Sequence, residues 1–390
     1  MTMSFKKNLF VYFFTCLLLS LDVVLAQTNS SQFDTDTKFK LFPSLQYLQA
    51  SAFIDTYYAY DFNTPNSHER GFTTTAARHN EFNLNLAMVD VNYNDNKKRG
   101  RLALQWGTSV VKNYNAEPLS GQSSSDARTI YGIDSRTIQE GFVGFRISDK
   151  TWIDAGIFYS TIGMETWVSK YNFNYTRVLF SDYVPYYSSG IKISHEFNSS
   201  FLGELHLING WQVVQDDNQE KSLSWKLDKK LNMQFNIIYN GHAGKERGVF
   251  TESRLKTYHN LIVKYLWSNG HETHTAFDIG TTETQVKKDT DQWMVWALAH
   301  NMPLTEKLNF AIRGEIYRDP HNAHIPTSST NQLPFNVYGL TGTINYKKEE
   351  NLLLRLEGRY LSAEDAVFQK NVNQPTKENF VMIQSIALTI

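Results

Sequence analysis

Residues 138–167 read IQEGFVGFRISDKTWIDAGIFYSTIGMETW, and residues 175–194 read YTRVLFSDYVPYYSSGIKIS. The first stretch is a hairpin of two alternating strands around a tight polar turn. Val143, Phe145 and Ile147 share one face of its first strand, with Glu140, Gly144 and Arg146 on the other. Ile153, Ala155, Ile157 and Tyr159 share one face of its second, opposite Asp154 and Gly156. A long aromatic-rich loop follows, from about Thr161 to Tyr186, and then Ile191 and Ile193 begin to alternate with Lys192, Ser194 and Glu196. Period-two alternation of this kind belongs to strands that separate an apolar from a polar environment.

The same unit recurs in both directions. Upstream, Leu48 to Tyr60 alternate on even positions, with Phe53, Asp55 and Tyr57 on the opposite phase. Phe82, Leu84, Leu86 and Met88 follow, and Leu102 to Val110 read as a third strand with Arg101, Gln105 and Ser109 behind it. Downstream, Leu205 and Leu207 alternate with Glu204 and His206. Leu223, Trp225 and Leu227 lead to a turn at Asp228–Lys230, and Leu231, Met233, Phe235, Ile237 and Tyr239 form the most regular strand. Residues 293–300 are apolar on both faces, so their facing is ambiguous. Leu308–Ile316 place Arg313 and Glu315 on the polar phase, and Leu352–Tyr360 do the same with Arg355, Glu357 and Arg359.

The count is about sixteen strands, an even number. Short turns fall near residues 96, 149, 198, 229, 270, 304 and 349, with longer loops between them. This alternation predicts an all-β fold over residues 45–390: a transmembrane antiparallel β-barrel with short periplasmic turns and long extracellular loops. Closure removes the edges that an open sheet would expose. Trp267 and Tyr346 beside short turns, and Tyr58, Tyr60, Tyr159, Tyr239 and Tyr360 beside long loops, read as aromatic girdles at the two interfaces. A soluble propeller or sandwich also alternates, but its turns would not sort into two length classes.

Composition agrees. The 390-residue chain carries a net charge of -1, with 14% aromatic and 20% charged residues. Its mean hydropathy is -0.41. That is far too polar for a helical membrane protein and ordinary for a barrel, where half of each strand faces water. No global positive field points to nucleic acid. Lys6 and Lys7, the apolar run Leu9–Leu21 and Val24-Leu25-Ala26 predict a signal peptide over residues 1–26. Residues 27–44 then read as a flexible periplasmic segment. The single cysteine, Cys16, lies inside the signal, so no disulfide is expected.

With these residues laid out, the chain resembles the beta-barrel porins of the OmpL-like group, found in Gram-negative outer membranes. The resemblance rests on AFIDTYYAYDFN at 52–63, RHNEFNLNLAMVDVNY at 78–93, RGRLALQWGTSV at 99–110, the hairpin at 138–167, YTRVLFSDYVPYYSSGIKI at 175–193 and LHLINGWQ at 205–212. It implies location in the bacterial outer membrane and barrel architecture more firmly than any substrate. The chain departs from the common outer-membrane pattern in ending at Ile390 rather than at an aromatic residue, although the alternation through Ile386 and Leu388 is intact.

The lumen phase carries Arg101, Glu140, Arg146, Asp154, Lys192, Glu204, Arg313, Glu315, Arg355, Glu357 and Arg359 as pore-lining candidates. Opposed charges across a narrow pore favour small polar solutes; the plainer alternative is cross-strand pairing that only stabilises the wall. Glu165, Lys170, Arg177 and Asp182 ride on the aromatic loop and are candidates for a constriction. The alternatives are that this loop caps the mouth or packs on a neighbouring subunit. Catalytic signals are poor: His271-Glu272-Thr273-His274 is not the helical zinc spacing, and His321 and His324 lack a carboxylate cluster. No cofactor and no metal site are expected. The reading is a porin-like channel for passive diffusion of small hydrophilic solutes, surrounded by outer-membrane lipids and not an enzyme. A homotrimer is an expectation by analogy. A barrel hydrolase with His242 at its rim, and an adhesin or structural barrel using loops 113–136 and 318–334, are the alternatives.

Overall fold

The computed structural model describes residues 45–114, 129–130, 133–216, 218–246, 253–284, 289–327, 333–371 and 374–390. The expected signal peptide, Cys16, residues 27–44 and much of loop 113–136 lie outside them.

Sixteen strands close into one antiparallel barrel in chain order. They are β1 (Leu48–Asp61), β2 (Phe82–Asn94), β3 (Lys98–Trp106), β4 (Ile138–Ser148), β5 (Thr151–Tyr159), β6 (Tyr187–Asn198), β7 (Phe201–Ile208) and β8 (Ser222–Lys230). The second half is β9 (Phe235–Glu246), β10 (Arg254–Leu266), β11 (Glu272–Glu283), β12 (Thr290–Pro303), β13 (Leu308–Asp319), β14 (Phe335–Glu349), β15 (Leu352–Ala363) and β16 (Glu378–Thr389). Closure comes from β1 against β16, with Phe53 opposite Thr389 and Asp61 opposite Val381. Ala52 and Ile390 exchange two backbone hydrogen bonds of 2.8 Å at the rim that also holds the short turns.

Alternation sorts the side chains as the sequence predicts. Val143 is 72% exposed on the outer face, in a band with Phe145, Ile147, Leu205 and Leu340, while Asp154, Arg313 and Glu357 are buried inside. The direction follows from cost: an ionised side chain facing hydrocarbon near the bilayer midplane costs about 2–4 kcal/mol. The ambiguous strand resolves in the same way. Met294, Trp296 and Leu298 face outward, and Trp293, Val295, Ala297 and Ala299 face inward. Trp293 lies across its partner Gly280, where any Cβ would overlap the indole.

Four expectations need correction. The turn expected at Asp228–Lys230 lies at 231–234, because the Asn232 side chain accepts from the Gln234 and Phe235 amides at 2.9 and 2.8 Å. Leu231 and Met233 therefore belong to that turn. The third strand ends at Trp106. Gly107 takes φ +139°, where a Cβ would strike the Asn85 carbonyl, and Thr108–Tyr114 forms a short helix, α1, with Val110 and Tyr114 buried. Leu86 and Met88 point inward, packed in one inner cluster with Phe53 and Val110. Asn85 just before them also faces inward, bonded to Asp55 at 2.8 Å, so the phase of β2 slips by one residue there. Tyr159 is not a girdle residue: Gly156 at φ +135° re-aims the end of β5, and the tyrosine ring lies 5.5 Å from the Arg101 guanidinium.

Candidate functional site: an inward loop and the cavity beside it

The loop 160–186 folds into the barrel. Its mouth is closed by Ser160 N–H donating to the Tyr186 carbonyl at 2.8 Å. Inside, most of its polar anchors come from one side of the wall, while the Trp167 indole donates to Gln105 of β3 at 2.8 Å. Arg313 on β13 donates to the Glu165 carboxylate at 2.9 Å and to the Thr176 carbonyl at 2.5 Å. Glu315 accepts from the Leu179 amide at 2.6 Å and from Arg359 at 2.8 Å. Glu357 on β15 accepts from the Tyr175 amide at 2.6 Å, the Thr176 amide at 3.0 Å and the Thr176 hydroxyl at 2.5 Å. Arg355 donates to the carbonyls of Ser169 and Asn172 at 2.7 and 3.1 Å. Asp55 on β1 accepts from the Ser169 hydroxyl at 2.9 Å and the Tyr175 hydroxyl at 3.1 Å.

These bonds supply what an irregular segment inside a barrel needs. Its amides and carbonyls cannot pair with a ladder, and each one left unpaired when buried costs about 1–3 kcal/mol. The wall charges take that place. Apolar contacts complete the seat: Val178, Leu179, Phe180 and Val184 pack with Ile238, Tyr258, Ile262, Trp293, Tyr317 and Phe335 of the inner wall. The doubly apolar strand β12 is thus explained, since its inner face meets protein rather than water. Other loops join the packing. Thr74 donates to Asp182 at 2.7 Å, Arg177 donates to Asp182 at 2.5 Å and also bonds Thr74, and His324 Nε2 lies 3.0 Å from the Tyr183 carbonyl. Burial lifts the Glu165 carboxyl above its ordinary value, while Arg313 and the Val178 amide draw it back. Burial draws the Arg177 guanidinium down to about 10, opposed by the Asp182 carboxylate.

The other side of the wall is arranged differently. Arg99 forks onto Asp154 at 2.6 and 2.5 Å, and Lys192 stands 3.4 Å from the same carboxylate. Arg101 forks onto Asp90 at 2.9 Å through both contacts and also bonds Glu140. Glu204 pairs with His206 at 3.1 Å, Lys226 with Asp228 at 3.5 Å, and Arg146 stacks 4.9 Å from Trp152. A cavity of about 460 Å³ opens between this wall and the loop. Asp90, Arg101, Lys226, Lys264 and Tyr159 line it from the strands, and Glu165, Trp167, Lys170 and Tyr171 from the loop. A second cavity of about 780 Å³, at the short-turn rim, shares Phe53, Lys170, Tyr171 and Thr389 with the first.

The eleven pore-lining candidates therefore divide. All sit on the inner face, but Arg313, Glu315, Glu357 and Arg359 face the loop rather than open space, and Arg355, which also holds the loop, borders the short-turn cavity. Arg101 borders the cavity beside the loop. Of the loop candidates, Glu165 and Lys170 reach that cavity, and Arg177 and Asp182 are buried against each other. Sequence reasoning missed Asp90, Lys226 and Lys264. Lys226 and Lys264 were available from alternation, since each lies between two outward apolar residues; Asp90 was hidden by the phase slip in β2. The rim histidine His242 is fully buried. It contacts Ser224 at 3.1 Å and Glu246 at 2.9 Å, and Glu246 also accepts from Ser222 and the Trp211 amide. With Ser224 itself buried, that network packs strands together and offers no approach to a substrate carbonyl. Among the described residues no cluster of three or more His, Cys, Asp or Glu forms a metal site.

A closed sixteen-stranded antiparallel barrel with an apolar outer belt and an inward-folded loop after its fifth strand defines a porin-type outer-membrane barrel. The chain belongs to the family described as "Putative beta-barrel porin-2, OmpL-like", whose model matches residues 47–389. No curated protein sequence matches it. Solved structures that it resembles include the anion-selective porin from Comamonas acidovorans, with a TM-score of 0.58 and 8% identity, covering 88% of this chain and 99% of that one. Pseudomonas putida OprB gives 0.56 and 8%, covering 91% and 96%. The trimer form of Vibrio cholerae OmpT gives 0.53 and 9%, covering 88% and 99%. At such identities the likeness is one of fold. Family and fold place the protein in the bacterial outer membrane, with the short-turn rim on the periplasmic side.

Proposed function

We propose that the protein is a passive diffusion channel for small hydrophilic solutes and ions, constricted by loop 160–186. The observation that carries this is the loop itself: it is fastened mainly to one wall and leaves a cavity, lined in part by charged side chains, toward the other. Solute would pass between Lys170, Tyr171 and Trp167 on the loop and Asp90, Arg101, Lys226 and Lys264 on the wall. Charged groups facing one another across such a gap order water and admit small polar molecules. Reconstitution of the folded barrel into a planar bilayer tests the reading. Stepwise conductance is expected, and it should rise when residues 163–183 are replaced by a short linker; a folded barrel that never conducts overturns it.

The same reading includes a homotrimer. A groove of about 740 Å³ runs down the outer face at the seam of β1 and β16, lined by Tyr58, Leu84, Ile344, Leu356 and Ile386, and the 88%-exposed Phe82 stands over it. The Vibrio cholerae relative is described as a trimer form. Native mass spectrometry from detergent should return three copies; a monomer under every mild detergent overturns this part alone.

A further inference from the structure

The histidines of the His271-Glu272-Thr273-His274 stretch separate in the structure. His274 turns into the barrel, its ring 4.4 Å from that of Phe173. His271 belongs to the short turn before β11 and meets a residue far away in the chain, His300 of β12. The pairing register explains the meeting: Thr273 stands opposite His300, so His271 is diagonal to it. His271 Nδ1 and His300 Nε2 are 3.2 Å apart. His300 Nδ1 lies 2.8 Å from the Thr273 hydroxyl, which also accepts from the Trp267 indole at 2.8 Å. Both histidines are half-buried on the outer face, at the periplasmic rim.

We propose that His271 and His300 form a binding site for a divalent transition-metal ion, of the Zn²⁺ or Cu²⁺ class. The 3.2 Å separation of the two nitrogens is one that a two-imidazole chelate can span. A cation at a typical metal–nitrogen distance of about 2.05 Å from each ring atom would subtend roughly 103°, near the tetrahedral angle. Thr273 supplies the outer support that metal-binding imidazoles need. Accepting a hydrogen bond from His300 Nδ1–H, it would hold the tautomer whose Nε2 lone pair faces His271. On binding, the proton on His271 Nδ1 would pass to solvent while His271 Nε2 takes one up, so that His271 Nδ1 and His300 Nε2 both coordinate through lone pairs of neutral imidazoles. Water completes the shell from the periplasmic side. The ion would tie the turn at 267–271 to the neighbouring strand β12, so its effect is to fasten the rim.

The test uses tag-free, folded full-length barrel in detergent, titrated with Cu²⁺ and followed by electron paramagnetic resonance. One ion per chain with hyperfine structure from two imidazole nitrogens is expected. His271→Ala and His300→Ala should each weaken binding at least tenfold and leave a pattern of one nitrogen or none. Thr273→Val should weaken binding about tenfold while the two-nitrogen pattern survives. His259→Ala and His321→Ala should change nothing. Binding should fall away in acid, where protons compete with the ion for the imidazole nitrogens. His271 lies in a turn, so His271→Ala carries the test if His300→Ala does not fold. A two-nitrogen signal that survives in His271→Ala, or its absence from the unaltered protein, overturns the proposal.

Discussion

The two sides of the barrel wall carry the same kinds of residue and put them to opposite uses. On β1, β13 and β15, Asp55, Arg313, Glu315, Arg355 and Glu357 spend their hydrogen-bonding capacity on the inward loop. On β3 to β8, Arg99, Arg101, Asp154, Lys192 and Glu204 satisfy one another or a near neighbour across the strands. Charge alternation along a strand therefore says that a face is polar, but not what completes it. One wall is completed mainly by chain, the other by pairing among its own side chains, of which Arg101 borders the cavity. The first wall should thus govern whether the loop is seated, and the second what the cavity selects.

The strongest way to break this comparison is Arg313→Ala. It removes the cation paired with Glu165, and losing one member of a buried ion pair costs about 3–5 kcal/mol. Chemical denaturation should show that loss, and single-channel records should show a larger, noisier conductance as the loop unseats. An unchanged conductance would mean that the remaining anchors, Glu357 and Arg355 among them, seat the loop without Arg313. Glu357→Gln comes next. It keeps one acceptor oxygen in place of a carboxylate that takes three bonds from the loop and one from Thr343, so a cost of about 1–3 kcal/mol is expected in the same assay.

The opposite wall should respond in selectivity rather than stability. Lys226→Glu combined with Lys264→Glu reverses two charges on the cavity lining. Partly exposed charges of this kind shift stability by no more than about 1 kcal/mol, whereas the reversal potential in a salt gradient should move toward cations. A shift of the same size from Glu315→Gln, on the loop-bearing wall, would erase the distinction. The smallest expected effect concerns pH. The folded protein holds the Glu165 proton more tightly than the ordinary value of 4.5. This carboxyl therefore favours the folded state below its raised value, and that contribution disappears as pH rises through it. Stability of the unaltered protein relative to Glu165→Gln, which stays neutral, should decline over that interval and be flat on either side.

How far the chain could be read from its letters follows from the same division. Strand phase was legible wherever the outer face is continuous hydrocarbon, as at Val143, Phe145 and Ile147. It failed at Leu86, Met88 and Tyr159, where a local phase slip and Gly156 re-aim the backbone. Two-fold alternation holds no trace of such a slip until the partner strand is known. The double apolarity of Trp293–Ala299 was visible as an ambiguity, and it marked the inner face against which the loop packs.

Strand count, closure, the rim that carries the short turns and the polar character of the inner face are all legible in the linear chain. Those properties depend on nearest-neighbour alternation and on the expense of placing polar groups in lipid, both local. That loop 160–186 enters the barrel, that Glu357 seats it while Lys226 and Lys264 border open space, and that His271 meets His300 rather than His274 emerge only once the wall has closed. Such contacts join residues tens to hundreds of positions apart. They depend on how the closed wall sets each inward residue across the lumen or beside its strand neighbour, and no period along the chain records that distance.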